Sequence, residues 1–494
     1  MARGPAGPRA RAVRVPGDRG GAAARRQVHR RDGHRGHRGR VHGGQRRGGP
    51  RDRRGGEPGL PRRRGTGDDP GGGFGGGDLP AGPVRHRLVR RASQGEGGET
   101  GDRKDIAVSE RLVIVADDLT GAADAAAAYG PFDRVAVALD GSAALPDADV
   151  IAIDTDSRHR SPEFAARAVA AAVRGAADAG FPLYKKIDST LRGNIAAEVG
   201  AALHELSATA LLAPAFPGTG RTVTGGVLRV GDTVRGDLRE LFAGTGLRTA
   251  LIPLDVVRSG PSEVVAAYRA AAADVVCADA VTEADLEVLH AAGTALGPDV
   301  LLVGSAGLTR VAARARGHRE RPFPPAGGAA VLTVLGSYSG LAREQRAAMA
   351  ASGEVTVVAV AAPFGLAEQR RAGAALSTSD GDVLLVPDPA APVARADAAE
   401  VAGALASVAA RHVARRRDTL AGLILAGGET ARAVLLAAGV RGFTVLGELA
   451  PGVVRSAVPE LGGLPLITKA GAFGAPDTLE HARRALHAPA GASH

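Results

Sequence analysis

Between residues 111 and 303, short runs of apolar residues alternate with longer amphipathic stretches. Such runs are typical of buried parallel strands, and apolar residues at helical spacing lie between them. The predicted strands are Arg111–Ala116, Val135–Leu139, Val150–Ile153, Leu183–Ile187, Ala210–Ala213, Val275–Ala278 and Val300–Val303. The predicted helices are Glu163–Ala179, Asn194–Leu206, Ser262–Ala273 and Thr282–Ala292. This alternation predicts an α/β domain with a mostly parallel sheet.

A second block with the same alternation follows Arg316–Gly328, where charged residues, proline and glycine cluster as in a linker. Its predicted strands are Val331–Gly336, Val355–Val360, Val383–Val386 and Leu420–Leu425, and its predicted helices are Leu341–Ala351 and Ala394–Arg415. The fold class is therefore α/β, with two domains of mostly parallel sheets facing a cleft. We place the domains at 108–320 and 329–486, the linker at 321–328 and a tail at 487–494.

Residues 1–107 show neither pattern. Residues 1–105 contain 28 of the 70 glycines, with 26 basic and 11 acidic side chains. This low-complexity composition cannot bury enough apolar area to offset chain entropy, so it predicts disorder. A mis-assigned N-terminal extension is the interpretation we favour, because non-coding frames of GC-rich DNA translate into Arg, Gly, Ala and Pro. Val108 lies just before the first strand, and valine can mark an alternative start codon. A basic RNA-binding arm is the other interpretation.

Charge and cysteine content narrow the function classes. The formal net charge of +10 comes from the first segment, since residues 106–494 hold 36 basic and 41 acidic side chains. That part offers no basic surface for a nucleic acid. The single cysteine excludes an intrachain disulfide and favours a reducing, cytoplasmic setting. No apolar run reaches the length of about 18 residues that a membrane helix needs.

Polar residues follow the first and third predicted strands. Asp117 and Asp118 come directly after the first strand, at the edge where open α/β sheets bind ligands. One carboxylate would bind a polyol hydroxyl or help to hold a metal, and the alternative is a cap on the next helix. Arg158, in "DTDSRHR" (154–160), is a second candidate for an anion contact, with a surface charge cluster as the alternative.

The densest polar run is "YKKIDSTLRGN" (184–194), after another predicted strand. Its cations suit a carboxylate substrate, and Arg192 would grip one with two parallel hydrogen bonds. Asp188 would accept a hydroxyl proton as general base. Ser189 and Thr190 have an alternative role as helix caps. The run "PAFPGTGRTVTGG" (214–226), around Arg221, is either a ligand loop or a tight surface loop.

Two loops of the second block, "LGSYSG" (335–340) and "LAGGET" (425–430), join a strand to a helix through small residues. Free amides and the helix dipole favour phosphate there, and the alternative is simple turns. The candidates are Ser337, Gly427, Gly428, Glu429 and Thr430. The sequence contains no GxxxxGK[ST], GxGxxG, HExxH or CxxC motif, which argues against a P-loop, a dinucleotide fold and a zinc site. Cys277 lies in an apolar strand and is interpreted as inert core.

Taken together, these segments resemble the four-carbon acid sugar kinase family. The matching segments are "ADDLTGAAD" (116–124), "KKIDSTLRGN" (185–194), "PAFPGTGRTVTGG", "LGSYSG", "GGET" (427–430), "PGVV" (451–454) and "TKAGAFG" (468–474). They follow the family's order over residues 110–485, and "KKIDSTLRGN" is the specific one. The resemblance implies an N-terminal sugar-acid domain, a C-terminal ATP domain, and Mg²⁺-assisted phosphoryl transfer from ATP to the C4 hydroxyl of a tetronate.

The resemblance places substrate contacts on Asp118, Arg158 and residues 186–189, and ATP contacts on Ser337, residues 427–430 and Gly471. Ala470 stands where the family usually has serine, so a hydroxyl contact would be lost there. The full set of substrate candidates is Asp117, Asp118, Arg158, Lys185, Lys186, Asp188, Ser189, Arg192 and Asn194. Metal ligands stay unassigned.

The sequence thus predicts an ATP-dependent kinase of a threonate or erythronate, with Asp188 or Asp118 as the base. Arg158, Lys186 and Arg192 would hold the C1 carboxylate. A 3-oxo-tetronate kinase is the alternative within the family. Outside it, the alternatives are an aspartyl-type phosphosugar phosphatase, suggested by "DTDSR", and a nucleic-acid-binding protein. Expected partners are the sugar acid and ATP, with a homodimer as an open possibility and no membrane or nucleic acid.

Overall fold

The computed structural model describes residues 111–131, 134–141, 145–316, 328–388, 398–471 and 473–488. We call residues 111–316 the N-terminal half and residues 328–488 the C-terminal half. Both alternate strands and helices, which confirms the α/β class. The predictions for residues 1–107, and the linker 321–328 apart from Gly328, lie outside the described residues, so the domain boundaries stay predictions.

The N-terminal half contains every strand and helix predicted for it. The strands are β1 (Leu112–Ala116), β2 (Val135–Ala138), β3 (Val150–Asp154), β4 (Leu183–Lys186), β5 (Thr209–Ala213), β6 (Arg221–Thr224), β7 (Val227–Val230), β8 (Thr233–Asp237), β9 (Thr249–Ile252), β10 (Val275–Ala278) and β11 (Val300–Gly304). The helices are α1 (Leu119–Ala127), α2 (Pro162–Asp178), α3 (Ile195–Leu206), α4 (Leu254–Ser259), α5 (Pro261–Ala271), α6 (Glu283–Leu296) and α7 (Ala306–Arg314). The predicted strand ends agree within one residue.

The C-terminal half also contains its predicted elements, together with three strands that sequence reasoning missed, β16 to β18. The strands are β12 (Ala330–Leu335), β13 (Val355–Val360), β14 (Asp382–Pro387), β15 (Leu420–Ala426), β16 (Gly442–Ala450), β17 (Val453–Val458) and β18 (Leu464–Lys469). The helices are α8 (Gly340–Ala351), α9 (Leu366–Ser377), α10 (Ala398–Arg416), α11 (Gly428–Ala437) and α12 (Thr478–His487).

One continuous sheet runs through both halves, where the pattern had suggested two separate sheets. Its order is β13-β14-β12-β15-β18-β17-β16-β2-β3-β1-β4-β11-β5-β10-β9. The eight strands that the N-terminal half contributes to this sheet are all parallel to one another. In the C-terminal half, β17 is antiparallel to both β18 and β16. Antiparallel pairing of residues 442–445 of β16 with residues 135–138 of β2 joins the halves.

Residues 214–226, for which the sequence predicts either a ligand loop or a tight surface loop, start a small sheet. A short 3₁₀ turn at Pro217–Thr219 leads into β6, which forms an antiparallel three-stranded sheet with β7 and β8. This excursion holds Arg221 next to the C-terminal half, where its guanidinium carbon lies 4.8 Å from the ring centroid of Phe473.

Helix α1 is the element that both halves share. All nine of its residues are buried, and most are alanine or glycine, whose small side chains allow close packing on every side. It packs on β1 and β3 of its own half and on β16, β17 and α11 of the other. The N-terminus of α1, at Asp118, therefore lies where the two halves meet. No helix in the described ranges is long and apolar enough to cross a membrane.

Candidate active site

A cluster of charged side chains gathers at the carboxyl ends of β1, β3 and β4. Asp117 and Asp118 follow β1, Arg158 lies in the turn after β3, and Lys186 ends β4, with Asp188 two residues later. Because the three strands are parallel neighbours, their carboxyl ends meet at one edge of the sheet. The structure therefore brings together residues that the sequence places far apart.

Arg158 holds three carboxylates of this cluster together. Its Nε and Nη2 donate to Asp117 Oδ2 and Oδ1 at 2.7 and 2.8 Å. Its Nη2 also lies 2.7 Å from Asp118 Oδ1 and 3.5 Å from Asp188 Oδ2. Burial raises the pKa of Asp117, but the charge and hydrogen bonds of Arg158, together with the charges of Lys185 and Lys186, outweigh burial and lower it overall. The Arg158 side chain is only 8% exposed, so its interpretation as part of a surface charge cluster is wrong.

Asp118 caps α1 and faces the cluster at the same time. Its Oδ1 accepts the backbone N–H of Gly121 at 2.8 Å, which confirms the capping interpretation. Its Oδ2 accepts the Thr120 hydroxyl at 2.5 Å. A Cβ at Gly121 would lie 3.1 Å from Lys186 Nζ and 3.6 Å from Arg158 Nη2, so both cations border the same helix terminus. Capping and ligand contact are therefore compatible roles for this carboxylate.

Asp188 is saturated with hydrogen-bond donors. Its Oδ1 accepts from the backbone and hydroxyl of Thr190 at 2.9 and 2.5 Å, and Arg192 donates to both oxygens. Burial raises the pKa of Asp188, but hydrogen bonds from Arg192 and the charge of Arg158 hold it well below its usual range. A carboxylate in this state is a weak proton acceptor.

The two lysines of the run face opposite sides of the sheet, as neighbouring strand residues must. Lys186 Nζ donates to the Ile187 carbonyl at 3.0 Å on the side of the cluster. Lys185 Nζ lies 2.8 Å from Glu198 Oε2, and both side chains are 1% exposed. Glu198 in turn accepts the Ser157 hydroxyl at 2.7 Å. The structure thus corrects the placement of Lys185. It does not join the cluster but binds Glu198, which in turn binds Ser157 in the turn that carries Arg158.

The remaining polar residues of the run differ in position. Asn194 donates to the carbonyls of Ser157 and Arg160 at 2.9 and 3.0 Å, so it holds the turn that carries Arg158. It is also the residue that precedes α3, so the helix-cap alternative for Ser189 and Thr190 is wrong. Ser189 is half-buried beside Asp188, and Arg192 is largely exposed at the rim.

Three strand ends of the C-terminal half line up in the same way. Leu335 of β12 pairs with Ala426 of β15, which pairs with Lys469 of β18. The residues that follow are the candidates Ser337, Gly427 and Gly428, and Gly471. A Cβ at Gly471 would lie 2.9 Å from Ser337 Oγ, so these loops are in contact.

The loops place backbone amides at two helix N-termini. Gly427, with a φ of +101°, precedes α11 and provides no side-chain cap. Ser339, and not Ser337, caps α8 by accepting the N–H of Ala342 at 3.1 Å. Thr430 is buried beneath Gly336, whereas Glu429 is half exposed with Oε1 3.7 Å from His159 Nε2. The free amides of α11 favour an anionic ligand.

The loop at Gly428 reaches the acidic cluster of the N-terminal half. A Cβ at Gly428 would lie 3.0 Å from Asp118 Oδ2 and 3.4 Å from the Thr120 hydroxyl. The candidate phosphate loop and the candidate substrate cluster therefore lie next to each other, and the absence of a side chain at Gly428 permits this close approach.

Sequence reasoning missed a second group of charges at this junction. Arg310 of α7 binds Glu448 of β16, and its Nη2 lies 3.8 Å from Asp124 Oδ1 in α1. Burial and the neighbouring Asp124 raise the pKa of Glu448 to about 7, and burial also raises the pKa of Asp124. Asp124 was visible as the last residue of "ADDLTGAAD", one helical turn after Gly121. Arg310 and Glu448 carry no sequence signal, because only β16 pairing brings them together.

Comparison with known proteins identifies the family. Residues 112–312 match a family model described as a sugar-binding N-terminal domain, and residues 332–479 match one described as a nucleotide-binding C-terminal domain. A D-threonate kinase from Cupriavidus necator is 39% identical over 413 residues, covering 76% of this chain and 97% of that protein. The chain belongs to the four-carbon acid sugar kinase family. It is accordingly a phosphotransferase with an alcohol group as acceptor, as the sequence predicted.

Other relatives of this kinase differ in their substrates. A D-threonate kinase from Bordetella bronchiseptica is 35% identical, over 76% of this chain and 96% of that protein. Relatives at 29% to 32% identity are named D-erythronate kinase and 3-oxo-tetronate kinase. A solved Haemophilus influenzae structure, 24% identical, has a TM-score of 0.61 over 76% of this chain and 100% of that one, and shares the fold.

The phosphatase alternative fails on the position of Asp154, its would-be nucleophile. Asp154 is 1% exposed, its Oδ2 lies 2.9 Å from Arg432 Nε of the C-terminal half, and its Oδ1 accepts the N–H of Asp156. Burial raises its pKa to about 7. A carboxylate enclosed in this way has no free oxygen to attack a phosphorus, and its role in this kinase is to bind the other half.

Proposed function

We propose that this kinase transfers the γ-phosphoryl group of ATP to the C4 hydroxyl of a four-carbon sugar acid of the threonate or erythronate type. The approach of Gly428 to Asp118 carries the proposal, because it lets one ligand bound at each side meet the other. Phosphoryl transfer demands mainly positioning and stabilisation of charge, which a crevice between the substrate cluster and the phosphate loops would supply.

The cations of the cluster bind the C1 carboxylate end of the acid. Lys186 is 3% exposed and uses one of its three donors on Ile187, which leaves two for a ligand. Arg192 at the rim presents a planar guanidinium to a carboxylate. Arg158 uses Nε and Nη2 on the aspartates, and its Nη1 remains for the substrate.

Asp118 is the proton acceptor for the C4 hydroxyl. Both candidates accept several hydrogen bonds, but Asp118 is the one that faces Gly428. Hydrogen bonds from Arg192 and the charge of Arg158 hold the pKa of Asp188 well below its usual range, so Asp188 is the weaker proton acceptor. Asp188 instead orients Arg192, which is a positioning role.

The nucleotide binds with its phosphates at the α8 and α11 N-termini, between Ser337, Gly427 and Gly471. Mg²⁺ bound with ATP would supply further positive charge to the phosphate oxygens. The described ranges contain no group of three acidic, histidine or cysteine side chains that would hold a metal. Mg²⁺ commonly binds through substrate phosphates and one or two carboxylates. Asp118 of the N-terminal half borders the loop at Gly428, and Glu429 lies within that loop.

An ADP-release assay tests the proposal on the full chain with ATP and Mg²⁺. We expect turnover of D-threonate or D-erythronate, and none of 2,3-dihydroxybutanoate, which lacks the C4 hydroxyl. The two higher-identity relatives reported above are both named D-threonate kinase, so D-threonate is the first substrate to measure. Preference for a 3-oxo-tetronate would move the enzyme to the other branch of the family. Absence of turnover with every four-carbon acid would contradict the proposal.

A further inference from the structure

Three of the chain's four lysines fall within the described residues, and all three are buried. Their exposed fractions are 1% for Lys185, 3% for Lys186 and 0% for Lys469. Lys185 has Glu198 at 2.8 Å, and Lys186 borders Asp118 and Asp124. Among the described residues, no carboxylate lies within 4.0 Å of Lys186 or of Lys469. The two lysines still differ, because the charge of Lys186 acts to lower the pKa of Asp117 and of Asp124, whereas burial alone shifts the pKa of Lys469. Its ammonium donates to the carbonyl of the next residue, Ala470, at 2.8 Å.

A buried ammonium without a carboxylate partner destabilises a fold. Taking the charge out of water costs free energy, and a neutral side chain of similar volume is often tolerated better. Burial lowers the pKa of Lys469 to about 8, which reflects the same cost. A single carbonyl does not offset it, so an anion supplied from outside the chain would complete this position.

The position of Lys469 indicates which anion that is. It ends β18, in register with Ala426 of β15, and its own carbonyl accepts the N–H of Gly427 at 2.9 Å. On its other side, the carbonyl of Gly471 accepts the Ser339 hydroxyl of the α8 cap at 3.2 Å. Lys469 therefore lies between the two loops that lead into the N-termini of α8 and α11. Its ammonium group and the two helix N-termini all favour a negatively charged ligand.

We propose that Lys469 binds the phosphate chain of the nucleotide, between the Ser337 and Gly427–Gly428 loops. The inference rests on the proposed function and adds a residue to it. A lysine acts there as a compact point charge, and it neutralises phosphate oxygens from beneath the loops. In the sequence, Lys469 stands out only as part of "TKAGAFG" (468–474), which assigns it no role of its own.

Calorimetric titration of the full chain with ADP and with adenosine tests this inference. Lys469→Met keeps the side-chain volume and removes the charge. We expect ADP affinity to fall by about tenfold to a hundredfold, the range for a hydrogen bond to a charged group. Adenosine affinity should stay unchanged, because adenosine has no phosphate. The thermal midpoint of the ligand-free variant should equal or exceed that of the wild type, since an uncompensated charge has been removed.

Lys185→Met is the matched control, because it removes a buried lysine that has a partner. It should lower the thermal midpoint by leaving Glu198 uncompensated. If Lys469→Met fails to fold, Lys469→Gln, which keeps a donor for the Ala470 carbonyl, replaces it with the same expectations for ADP and adenosine.

Two results would overturn the inference and leave the proposed function standing. One is an ADP affinity of the variant within about twofold of the wild-type value, because that loss is far smaller than removal of a charged hydrogen bond would cause. The other is an equal loss for ADP and adenosine, which would mean that Lys469 only shapes the loop. If the wild-type chain binds neither ADP nor ATP, the proposed function fails, and the inference fails with it.

Discussion

At the scale of single residues, the site is organised by pairing of buried charges. Arg158 holds Asp117, Asp118 and Asp188 within one guanidinium's reach, and Thr190 and Arg192 saturate Asp188 from outside. The proposed choice of Asp118 as the base rests on its approach to Gly428 and on the donors around Asp188, since sequence alone left Asp118 and Asp188 as equal candidates. To distinguish the two carboxylates, one must know which hydrogen-bond donors surround each of them. The sequence does not reveal this, because the donors follow three different strands.

Asp118→Asn should lower kcat by about 10²-fold to 10⁴-fold, the usual contribution of a general base. Asparagine caps a helix as well as aspartate does, so the thermal midpoint should change little. Asp188→Asn is the comparison, and it should raise KM for the sugar acid more than it lowers kcat, because it releases Arg192. Steady-state kinetics of both variants measure this. A near-normal kcat for Asp118→Asn would return the role to Asp188.

Glu448 should make stability depend on pH. Burial raises its pKa from 4.5 to about 7. The folded state therefore holds a proton that the unfolded state releases, so the free energy of unfolding falls as pH rises from about 5 to about 7. Glu448→Gln should flatten this slope in urea unfolding measured at several pH values. Part of the slope should persist through Asp154, whose pKa is raised to about 7 as well. An unchanged slope would contradict the assignment.

At the scale of elements, apolar runs predicted the parallel strands because each is buried on both faces. In β1, for example, four of the five residues are fully buried, and this burial corresponds to a continuous run of aliphatic residues in the sequence. Strands β16 and β17 escaped prediction because glycine and charged residues interrupt them, and their pairing with distant partners defines them. The loops at Ser337 and Gly427 were predictable, since small residues between a strand and a helix are typical of a turn that exposes the helix N-terminus. The junction of Arg310 with Glu448 was not, because it follows from β16 pairing with β2.

A substitution of Gly428, at the start of α11, tests whether the close approach of this helix to Asp118 matters for activity. Gly428→Ala puts a methyl group 3.0 Å from Asp118 Oδ2 in the crevice. We expect kcat/KM to fall by about tenfold or more, as displacement of reacting groups does. Gly403→Ala in α10 is the matched control, since no atom lies within 4 Å of the new methyl group. That variant should gain about 0.5–1 kcal/mol of stability and keep its activity. Equal kinetics for both variants would contradict the role of Gly428.

At the scale of the whole molecule, the two halves form one continuous structure. The β2–β16 pairing, α1 and the Arg432–Asp154 ion pair all cross between the halves. A repeated α/β pattern predicts two similar blocks, but it does not encode this junction, because the residues that form it lie far apart along the chain. Whether the chain forms a homodimer stays a prediction.

Arg432→Met tests the strength of this junction. It leaves Asp154, which is 1% exposed, without its cation, so we expect a loss of about 3 kcal/mol or more in the free energy of unfolding at pH 8. The loss should be smaller at pH 6, where protonation neutralises Asp154. The double variant with Asp154→Asn should recover much of the loss in urea unfolding. A double variant no more stable than Arg432→Met would mean that the pair does not connect the halves.

In the proposed complex, the sugar acid and the nucleotide meet in one crevice, with C4 towards the phosphates and C1 towards Lys186. Proton relaxation of bound D-threonate in the presence of Mn²⁺·ADP measures this directly, since a paramagnetic ion relaxes nearby protons most. We expect the C4 protons to relax faster than the C2 proton, and we expect the enhanced relaxation of both to disappear when Mg²⁺ replaces Mn²⁺. No enhancement, or stronger relaxation at C2 than at C4, would contradict it.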